Sequence, residues 1–465
     1  MAENSREIGL DILLTLEREE QFANKLIKAV LDKYDYLSGQ EKAFIKRVAE
    51  GTIERQLELD YYLDTFSTVP VRKMKPLIRC LMRMSVYQIL YMDAVPDSAV
   101  CNEACKLAGK RKFVNLKGFV NGVLRKIAGQ KEQLPLPDKK TQSELYLSIK
   151  YSTPLWLTQR WLSQYGYEIT EKLLEGLLAV QPVTLRFSTV LDKQALSKAV
   201  QAIEETGVTL EKSGYLPYVY KAQKLEGVQS LSGFYEGRFT VQDVSSVLSV
   251  EAADIQKTDF VIDVCAAPGG KTLLAAEKAD KVLSRDVSEY KCALIEENAE
   301  RMQAGNVTIQ VHDATVTDES LIGLADILIM DVPCSGLGVT GKKQDIKYHA
   351  TEGSLQSVVE LQKQIVESCW QYVKPGGILL YSTCTINAEE NEEMVKWILD
   401  TLPFEAEELS HYIPKKLALE KEEVKRLTKG TAQMTDNRVE RCSIQLLPGF
   451  MESDGFFFAR LRRKQ

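Results

Sequence analysis

The stretch Asp263–Thr272 reads DVCAAPGGKT and decides the fold of the second half of the chain. It follows the apolar run Phe260-Val-Ile and precedes the helical pattern LLAAEKA. A strand, a glycine turn and a helix in this order place backbone N–H groups close to a ligand. Strand and helix patterns continue to alternate beyond residue 272. This alternation predicts an α/β domain with a parallel sheet and right-handed crossovers.

The predicted strands of this region end in reactive or hydrogen-bonding residues. The strands are DFVIDVC, KVLSRDV, VTIQVHD, ADILIMDVP and GGILLYSTC, and the residues at their ends are Asp263 and Cys265, Asp286, Asp313, Asp331 and Cys334, and Thr383 and Cys384. An isolated aspartate after a strand is usually a cap or a turn residue. In open α/β sheets, however, ligands bind outside the carboxyl ends of the strands. Five such ends in succession therefore predict a binding site.

The class of ligand is narrowed by elimination. A P-loop requires a glycine five residues before Gly270, and Cys265 stands there. The dinucleotide fingerprint G-x-G-x-x-G is also absent, because Gly269 and Gly270 are adjacent. What remains is a glycine turn, an acid suited to ribose hydroxyls (Asp286) and an acid suited to an adenine edge (Asp313). This combination favours S-adenosylmethionine.

The composition is that of a soluble globular protein. The chain has 465 residues, of which 45% are apolar and 27% charged, and about three domains are expected. No run approaches the ~20 apolar residues of a membrane span, and the N-terminus has no signal-peptide pattern, so we expect a cytoplasmic protein without a membrane partner. The nine cysteines form no C-x-x-C pair, which argues against disulfides and structural zinc. No metal is predicted.

Three domains and a linker follow from the patterns along the chain. Residues 1–130 show apolar spacing of three and four, which predicts an all-α domain. Residues 131–144, KEQLPLPDKKTQSE, are predicted to be a linker. Residues 145–240 are expected to form helices and a small α+β subdomain. Residues 241–465 contain the α/β domain described above.

Positive charge is concentrated in one segment. Residues 71–131 contain thirteen Lys or Arg and three acidic residues, so this segment carries +10 and the remainder −16. Such asymmetry indicates a surface that binds a polyanion. A solvated helix surface is the alternative interpretation, and charge alone does not decide between the two.

Four motifs support a more specific hypothesis. The stretches DVCAAPGGKT, MDVPCSGLGVTGKKQDIKY, LLYSTCTINAEENEEMV and LLPGFMESDGFFFARLRR resemble the motifs of RNA cytosine-C5 methyltransferases. The chain most closely resembles the bacterial small-subunit ribosomal-RNA methyltransferase B family, also called RsmB, Sun or Fmu. This resemblance implies an N-terminal NusB-like RNA-binding domain over residues 1–130 and an RNA-binding role for the small α+β subdomain of residues 145–240. It implies a C-terminal Rossmann-like methyltransferase domain over residues 241–465. It also implies S-adenosylmethionine as methyl donor and a cytosine of small-subunit ribosomal RNA as substrate. A monomer is expected.

The chemistry of cytosine explains why two cysteines are of interest. Carbon 5 is a poor nucleophile until a thiolate adds to carbon 6, and the thiol must later be expelled. Cys334 and Cys384, in Pro-Cys-Ser and Thr-Cys-Thr, could divide this work, but spacing alone does not show which one attacks. The resemblance implies attack by Cys384, product release by Cys334, and a hydrogen bond from Asp331 to cytosine N3.

The resemblance also implies which residues bind the cofactor. These are the loop Cys265, Ala266, Ala267, Pro268, Gly269, Gly270 and Lys271, followed by Asp286, Asp313 and Asp331. Lys291 is a weak candidate that we interpret as a surface lysine. Cys265 is expected to line the loop through its backbone, and the six cysteines outside the motifs are expected to be structural. His312 and His349 have no stronger claim than packing or surface roles.

One departure from the family and three alternatives remain. The family often has a basic stretch where this chain has Gly341–Gln344, although Lys342 and Lys343 could still contact RNA. The substrate could be another ribosomal or transfer RNA site. The chain could also be an inactive RNA-binding assembly factor, although paired thiols argue against this. A nucleotide-hydrolysing enzyme is disfavoured by Cys265.

Overall fold

The structure is a computed structural model that describes residues 5–19, 21–179, 181–225, 227–428 and 436–465. The chain forms two compact units. The first comprises Met1–Gln164 and Thr340–His349, and the second comprises Tyr165–Val339 and Ala350–Gln465. The units therefore divide at Gln164, inside the predicted 145–240 domain.

The first unit is helical, as predicted. In chain order its helices are α1 (Ser5–Arg18), α2 (Ala23–Lys33), α3 (Gly39–Glu54), α4 (Gln56–Phe66), α5 (Pro76–Tyr91), α6 (Asp97–Lys110), α7 (Lys117–Ala128), α8 (Ser143–Lys150) and the first part of α9 (Leu155–Leu178). Apolar residues at helical spacing form its core, and Leu10, Val48 and Leu81 are fully buried. A capping box between Ser38 and Glu41 starts α3. Helix α9 is broken at Gly166, whose φ of 75° is left-handed.

The residues just after the predicted linker belong to the first unit and pack against α4. The hydroxyl of Ser152, just after α8, accepts hydrogen bonds from Leu57 N (2.9 Å) and Glu58 N (3.4 Å). These amides belong to the first turn of α4, where backbone donors have no intrahelical partner. This capping contact explains why α8 belongs with the helices that precede it.

The segment Thr340–His349 is the second part of the first unit. Its Asp345 carboxylate accepts from Ala23 N at the start of α2 (2.6 Å). Lys347 Nζ donates to Glu54 O (2.9 Å), and Tyr348 donates to the same carbonyl oxygen (3.1 Å). Burial lowers the pKa of Lys347 to about 7. The segment that contains Gly341–Gln344 is thus anchored on α2 and α3.

A small antiparallel sheet opens the second unit. Its elements are β1 (Val183–Phe187), α10 (Lys193–Glu204), β2 (Thr209–Lys212), β3 (Val219–Gln223) and β4 (Phe239–Val241). The strand order is β2-β3-β1-β4. Its core contains the fully buried side chains of Phe187 (β1), Phe239 (β4) and Ile203 (α10). This is the small α+β unit that the sequence predicts.

A mixed sheet forms the main body of the second unit. Its strands are β5 (Phe260–Asp263), β6 (Lys281–Asp286), β7 (Val307–Val311), β8 (Ala325–Asp331), β9 (Val373–Thr383), β10 (Phe404–Ala406), β11 (Ser443–Leu446) and β12 (Phe456–Arg463). The order is β10-β12-β9-β8-β5-β6-β7, with β11 paired to β12. Strands β5 to β9 are parallel, and β12 runs antiparallel to β9. The predicted parallel arrangement is confirmed for the five strands that carry the candidate residues.

The remaining helices separate these strands. They are α11 (Val244–Glu251), α12 (Gly270–Ala276), α13 (Glu289–Arg301), α14 (Ile346–His349, in the first unit), α15 (Glu352–Cys369), α16 (Glu392–Thr401), α17 (Lys415–Leu427) and α18 (Asn437–Cys442). Leu328, Met330 and Leu379 are fully buried in the sheet, as expected for parallel strands covered on both faces. Within the described ranges, no helix has the length and apolar character needed to span a membrane.

Candidate active site

The loop after β5 turns sharply before α12. Gly269 has φ 103° and ψ 0°, a left-handed conformation that favours glycine. A Cβ atom on Gly269 would lie 3.3 Å from Ile295, and one on Gly270 would lie 3.4 Å from Gln242. The loop closes through Gly269 N, which donates to Ala266 O (2.7 Å). Gly269 is thus required by the left-handed turn, and a side chain there would also press on Ile295.

Asp286 at the end of β6 is tied to this loop. One carboxylate oxygen accepts from Ala267 N (2.9 Å), and the other accepts from Val287 N (2.8 Å). Lys291 Nζ lies 3.0 Å from the second oxygen, although the lysine side chain is 46% exposed. The loop and the predicted ribose acid therefore meet. Lys291, interpreted from sequence as a surface lysine, is also an ion-pair partner of that acid.

Asp313 lies farther out. It is exposed, and its carboxylate accepts from both the backbone and the hydroxyl of Thr315. The bond from the Thr315 backbone lowers the pKa of Asp313. The preceding residue, His312, faces Val316 O at 2.8 Å. Asp313 thus forms a turn after β7, and its place in a cofactor site stays a prediction.

Asp331 joins the cofactor loop to the end of β9. Its carboxylate accepts from Lys271 Nζ (2.7 Å) and from Ser382 Oγ (2.8 Å). The second contact follows from strand register, since Asp331 and Ser382 are paired across β8 and β9. The Asp331 side chain keeps 32% of its surface exposed, whereas Lys271 keeps 8%. Asp331 is therefore fixed in orientation but open on one side.

Cys334 and Cys384 lie in contact. Their sulfur atoms are 3.1 Å apart, and Cys384 N donates to Cys334 Sγ (3.3 Å). The bond with Cys384, followed by burial, raises the pKa of Cys334 well above its ordinary value. The structure thus brings together the two thiols that sequence reasoning selected.

A buried carboxylate that sequence reasoning missed lies behind the thiols. Glu390 is fully buried and accepts from Ser335 N (2.8 Å) and Ser335 Oγ (2.5 Å). Ser335 Oγ also contacts Thr385 Oγ1 at 2.8 Å. The available signal was the acidic run Glu389-Glu390-Asn391-Glu392 directly after the Thr-Cys-Thr motif. That run reads equally well as a solvated helix start.

The fourth motif packs against the second. Gly455 N donates to Gly338 O (2.9 Å), and Gly338 N donates to Cys384 O (3.1 Å). A Cβ atom on Gly338 would lie 2.0 Å from Gly455 O, a distance that no side chain tolerates. The two glycines thus let the Pro-Cys loop approach the backbone of Cys384.

The other candidate nucleophiles are less suited to attack. Burial raises the pKa of Cys265 well above its ordinary value. Cys80, Cys292, Cys369 and Cys442 are buried. Within the described residues, no three His, Cys, Asp or Glu side chains are grouped so that they could hold a metal ion.

Asp263 is expected to make stability depend on pH. It is fully buried, and one oxygen accepts from Thr272 Oγ1 (2.7 Å). The other oxygen has no hydrogen-bond partner among the described residues. Burial raises the pKa of Asp263 to about 7. Between about pH 4 and pH 7 the folded protein thus holds a proton that the unfolded chain releases, and the free energy of unfolding falls as pH rises.

Asp263→Asn removes this ionisation. We measure the free energy of unfolding of both proteins in urea at pH 5, 6, 7 and 8. From pH 5 to pH 8 we expect this free energy to fall by about 2–4 kcal/mol more in the unchanged chain than in the variant. An identical pH dependence in the two proteins would contradict the assignment. Comparing the two proteins cancels the contributions of all other titrating groups.

Comparison with known proteins agrees with this geometry. The family model for 16S rRNA methyltransferase RsmB/F matches residues 250–462, and the NusB family model matches residues 3–129. A probable ribosomal RNA small subunit methyltransferase B of Bacillus subtilis is 32% identical over 464 residues, covering 99% of this chain and 98% of that protein. The solved structure of PH0851 superposes with a TM-score of 0.75 and 23% identity over the full length of both chains.

A second solved structure adds a similar fold. NSun6 from Pyrococcus horikoshii, solved with SFG, has a TM-score of 0.53 and 20% identity and covers 66% of this chain and 97% of that one. The match to the Bacillus protein is sufficient to show the family. The chain therefore belongs to the RsmB/F family of 16S rRNA methyltransferases and is an S-adenosylmethionine-dependent RNA methyltransferase with a NusB-like N-terminal domain.

Proposed function

We propose that the chain methylates carbon 5 of one cytosine in small-subunit ribosomal RNA through a covalent bond between Cys384 and cytosine carbon 6. The observation that carries this proposal is the 3.1 Å contact between Cys334 Sγ and Cys384 Sγ beside Asp331. The family and the Bacillus relative are both named as ribosomal RNA methyltransferases, which supports ribosomal RNA as substrate.

The two thiols have different tasks in this proposal. The Cys384 sulfur adds to carbon 6, which turns the ring into an enamine that is nucleophilic at carbon 5. After methylation, the carbon 5 proton must leave so that the bond from Cys384 to carbon 6 can break. We propose that Cys334, whose sulfur lies 3.1 Å from that of Cys384, takes this proton as a thiolate. The electrons of the C5–H bond then restore the double bond between carbons 5 and 6 and expel the Cys384 sulfur. The assignment of attack to Cys384 and of release to Cys334 follows the family pattern of the Thr-Cys and Pro-Cys motifs.

Asp331 is proposed to hold the cytosine ring at N3. Lys271 and Ser382 contact its two oxygens, so the carboxyl has little rotational freedom. A group positioned in advance near the place where charge develops stabilises the transition state without reorganisation. The exposed side of Asp331 leaves room for a base to approach.

The residues present fit S-adenosylmethionine. The loop Cys265–Lys271 turns tightly at Gly269, and the buried Asp286 carboxylate is fixed against that loop by Ala267 N. Two carboxylate oxygens suit the two hydroxyls of a ribose. When bound, the cofactor supplies an electrophilic methyl group. NSun6, which has a related fold, was solved with SFG.

Methyl-transfer assays would test the proposal. The chain is incubated with labelled S-adenosylmethionine and small-subunit ribosomal RNA, either naked or in partly assembled subunits, and bisulfite sequencing then maps 5-methylcytosine. We expect one cytosine to become resistant to bisulfite. Label on another base, or label without bisulfite resistance, would contradict cytosine-C5 methylation. Transfer RNA is included to test the alternative substrate.

Fewer cations of the basic segment 71–131 are available to RNA than the sequence suggests. Six of its thirteen cations form ion pairs within the first unit, namely Arg79, Arg83, Lys106, Lys110, Arg111 and Lys131. The other seven are exposed and have no ion pair among the described residues; they are Arg72, Lys73, Lys75, Lys112, Lys117, Arg125 and Lys126. We propose that these seven contact RNA phosphates.

Reversing two of these charges should weaken RNA binding. For Lys117→Glu with Arg125→Glu on α7, we expect the affinity for RNA to fall about tenfold to a hundredfold at 0.1 M salt. We also expect the slope of the logarithm of affinity against the logarithm of salt concentration to become less steep by about two. The matched control is Lys25→Glu with Lys28→Glu, which changes two exposed lysines of α2 in the same unit. Equal losses in the two double variants would show that net charge, and not this segment, determines binding.

A further inference from the structure

One buried carboxylate joins the loops that carry the two thiols. Glu390 lies between β9 and α16 and is fully buried. Its Oε2 accepts from Ser335 N (2.8 Å) and Gln362 Nε2 (3.1 Å). Its Oε1 accepts from Ser335 Oγ (2.5 Å) and Asn387 Nδ2 (3.0 Å). Each oxygen thus receives one bond from Ser335, the neighbour of Cys334.

The same arrangement holds the other side of Cys334. Gln362 Nε2, which contacts Glu390, also donates to Pro333 O (2.8 Å). Tyr381 donates to Glu390 O (2.7 Å) and contacts Gln362 Oε1 (3.3 Å). Ser335 is therefore fixed directly by Glu390, and Pro333 is fixed by Gln362 of α15, which itself contacts Glu390. None of these contacts involves the cofactor loop.

Four donors around one carboxyl favour its ionised form. A carboxylate has no proton to donate and can accept at both oxygens. Burial raises the pKa of Glu390, while the bonds from Ser335, Asn387 and Gln362 lower it. The negative charge of Glu390 also raises the pKa of the nearby Cys334 thiol. Glu390 thus affects both the position and the proton of that thiol.

We propose that Glu390 is a positioning residue that acts through Ser335 to hold the Cys334 thiol against Cys384 for release of the methylated base. The inference rests on the proposed chemistry of the two thiols. It adds Glu390, six positions after Cys384 in the stretch LLYSTCTINAEENEEMV, as a residue whose contribution is to the release step. Loss of Glu390 should therefore slow release more than attack.

Glu390→Gln is the variant that tests this. The glutamine amide has nearly the same size as the carboxylate, but one of its two polar atoms is an NH₂ group. This NH₂ group would face donors that contact a carboxylate oxygen in the unchanged chain. We expect kcat to fall about a hundredfold, while KM for S-adenosylmethionine stays within about threefold. We also expect a protein–RNA adduct on denaturing gels even though Cys334 is present, because attack continues while release is slow. A general loss of structure would lower attack and release together and leave no adduct.

The matched control is Glu392→Gln. Glu392 lies two residues away in the first turn of α16, and its Oε2 has no hydrogen-bond partner among the described residues. We expect this control to keep kcat within about threefold and to form no adduct. If Glu390→Gln does not fold, Ser335→Ala decides the question, since it removes only the hydroxyl donor and should give a smaller accumulation of adduct.

The outcomes separate this inference from the proposed function. If the unchanged chain does not methylate cytosine and Cys334→Ala traps no RNA, the proposed function fails. If these two proteins behave as expected but Glu390→Gln keeps full turnover, or loses turnover without an adduct, Glu390 has no positioning role in release. If Glu390→Gln does not fold and Ser335→Ala is measured in its place, full turnover of Ser335→Ala, or lost turnover without an adduct, would overturn the inference.

Discussion

Cys384→Ala is expected to lower the rate of methyl transfer to RNA by about 10⁴-fold or more. Without the sulfur there is no group to add to carbon 6, and carbon 5 stays a poor nucleophile. Binding of S-adenosylmethionine should stay within about threefold, because the proposed cofactor residues are on the β5 loop and β6. Single-turnover assays with labelled cofactor measure the first quantity, and calorimetric titration measures the second.

Cys105→Ala is the control for this variant. Cys105 is partly exposed on α6 of the first unit, and its replacement should change the rate by less than about twofold. If Cys384→Ala kept more than about a tenth of the activity, covalent catalysis by Cys384 would be wrong.

Cys334→Ala should give a different defect. Attack by Cys384 remains possible, but the thiol 3.1 Å away that aids release is missing. We expect multiple turnover to fall by about 10²–10³-fold and a protein–RNA adduct to survive denaturing electrophoresis. The adduct should depend on RNA and be absent from the double variant Cys334→Ala with Cys384→Ala. An adduct in the double variant, or lost turnover with no adduct in the single variant, would contradict the division of roles.

The sequence was sufficient to predict the parallel strands and the residues at their ends. Apolar runs such as ADILIMD must be strands covered on both faces, and the carboxyl ends of parallel strands necessarily share one edge of a sheet. This is why the residues that end β8 and β9 could be expected near each other, and the register that pairs Asp331 with Ser382 confirms it. The helical first unit was equally accessible from its apolar spacing.

Contacts between distant segments could not be read in this way. Glu390 lies 55 residues after Ser335, and nothing in the acidic run after the Thr-Cys-Thr motif separates a buried carboxylate from a solvated one. The segment Thr340–His349 has the composition of an exposed basic loop, yet Asp345 and Lys347 anchor it on α2 and α3. These outcomes depend on which donors tertiary packing supplies.

Charge was also only partly predictable. Counting residues gives thirteen cations in the basic segment, but pairing depends on acids from elsewhere in the chain, such as Glu17 with Arg79 and Asp60 with Arg83. The same limit applies to Lys291, whose partner Asp286 comes from the preceding strand. Sequence identifies where charge is concentrated, and packing decides which charges stay available to a polyanion.

The most direct test uses RNA in which cytidine is replaced by 5-fluorocytidine. Release requires loss of the carbon 5 proton, and fluorine in its place blocks that step, so the unchanged chain should be trapped after methyl transfer. Nuclease and protease digestion followed by tandem mass spectrometry then identifies the bonded cysteine. We predict a methylated fluorocytidine attached to the peptide that contains Cys384. Attachment at Cys334, or no adduct while ordinary RNA is methylated, would contradict the proposed mechanism.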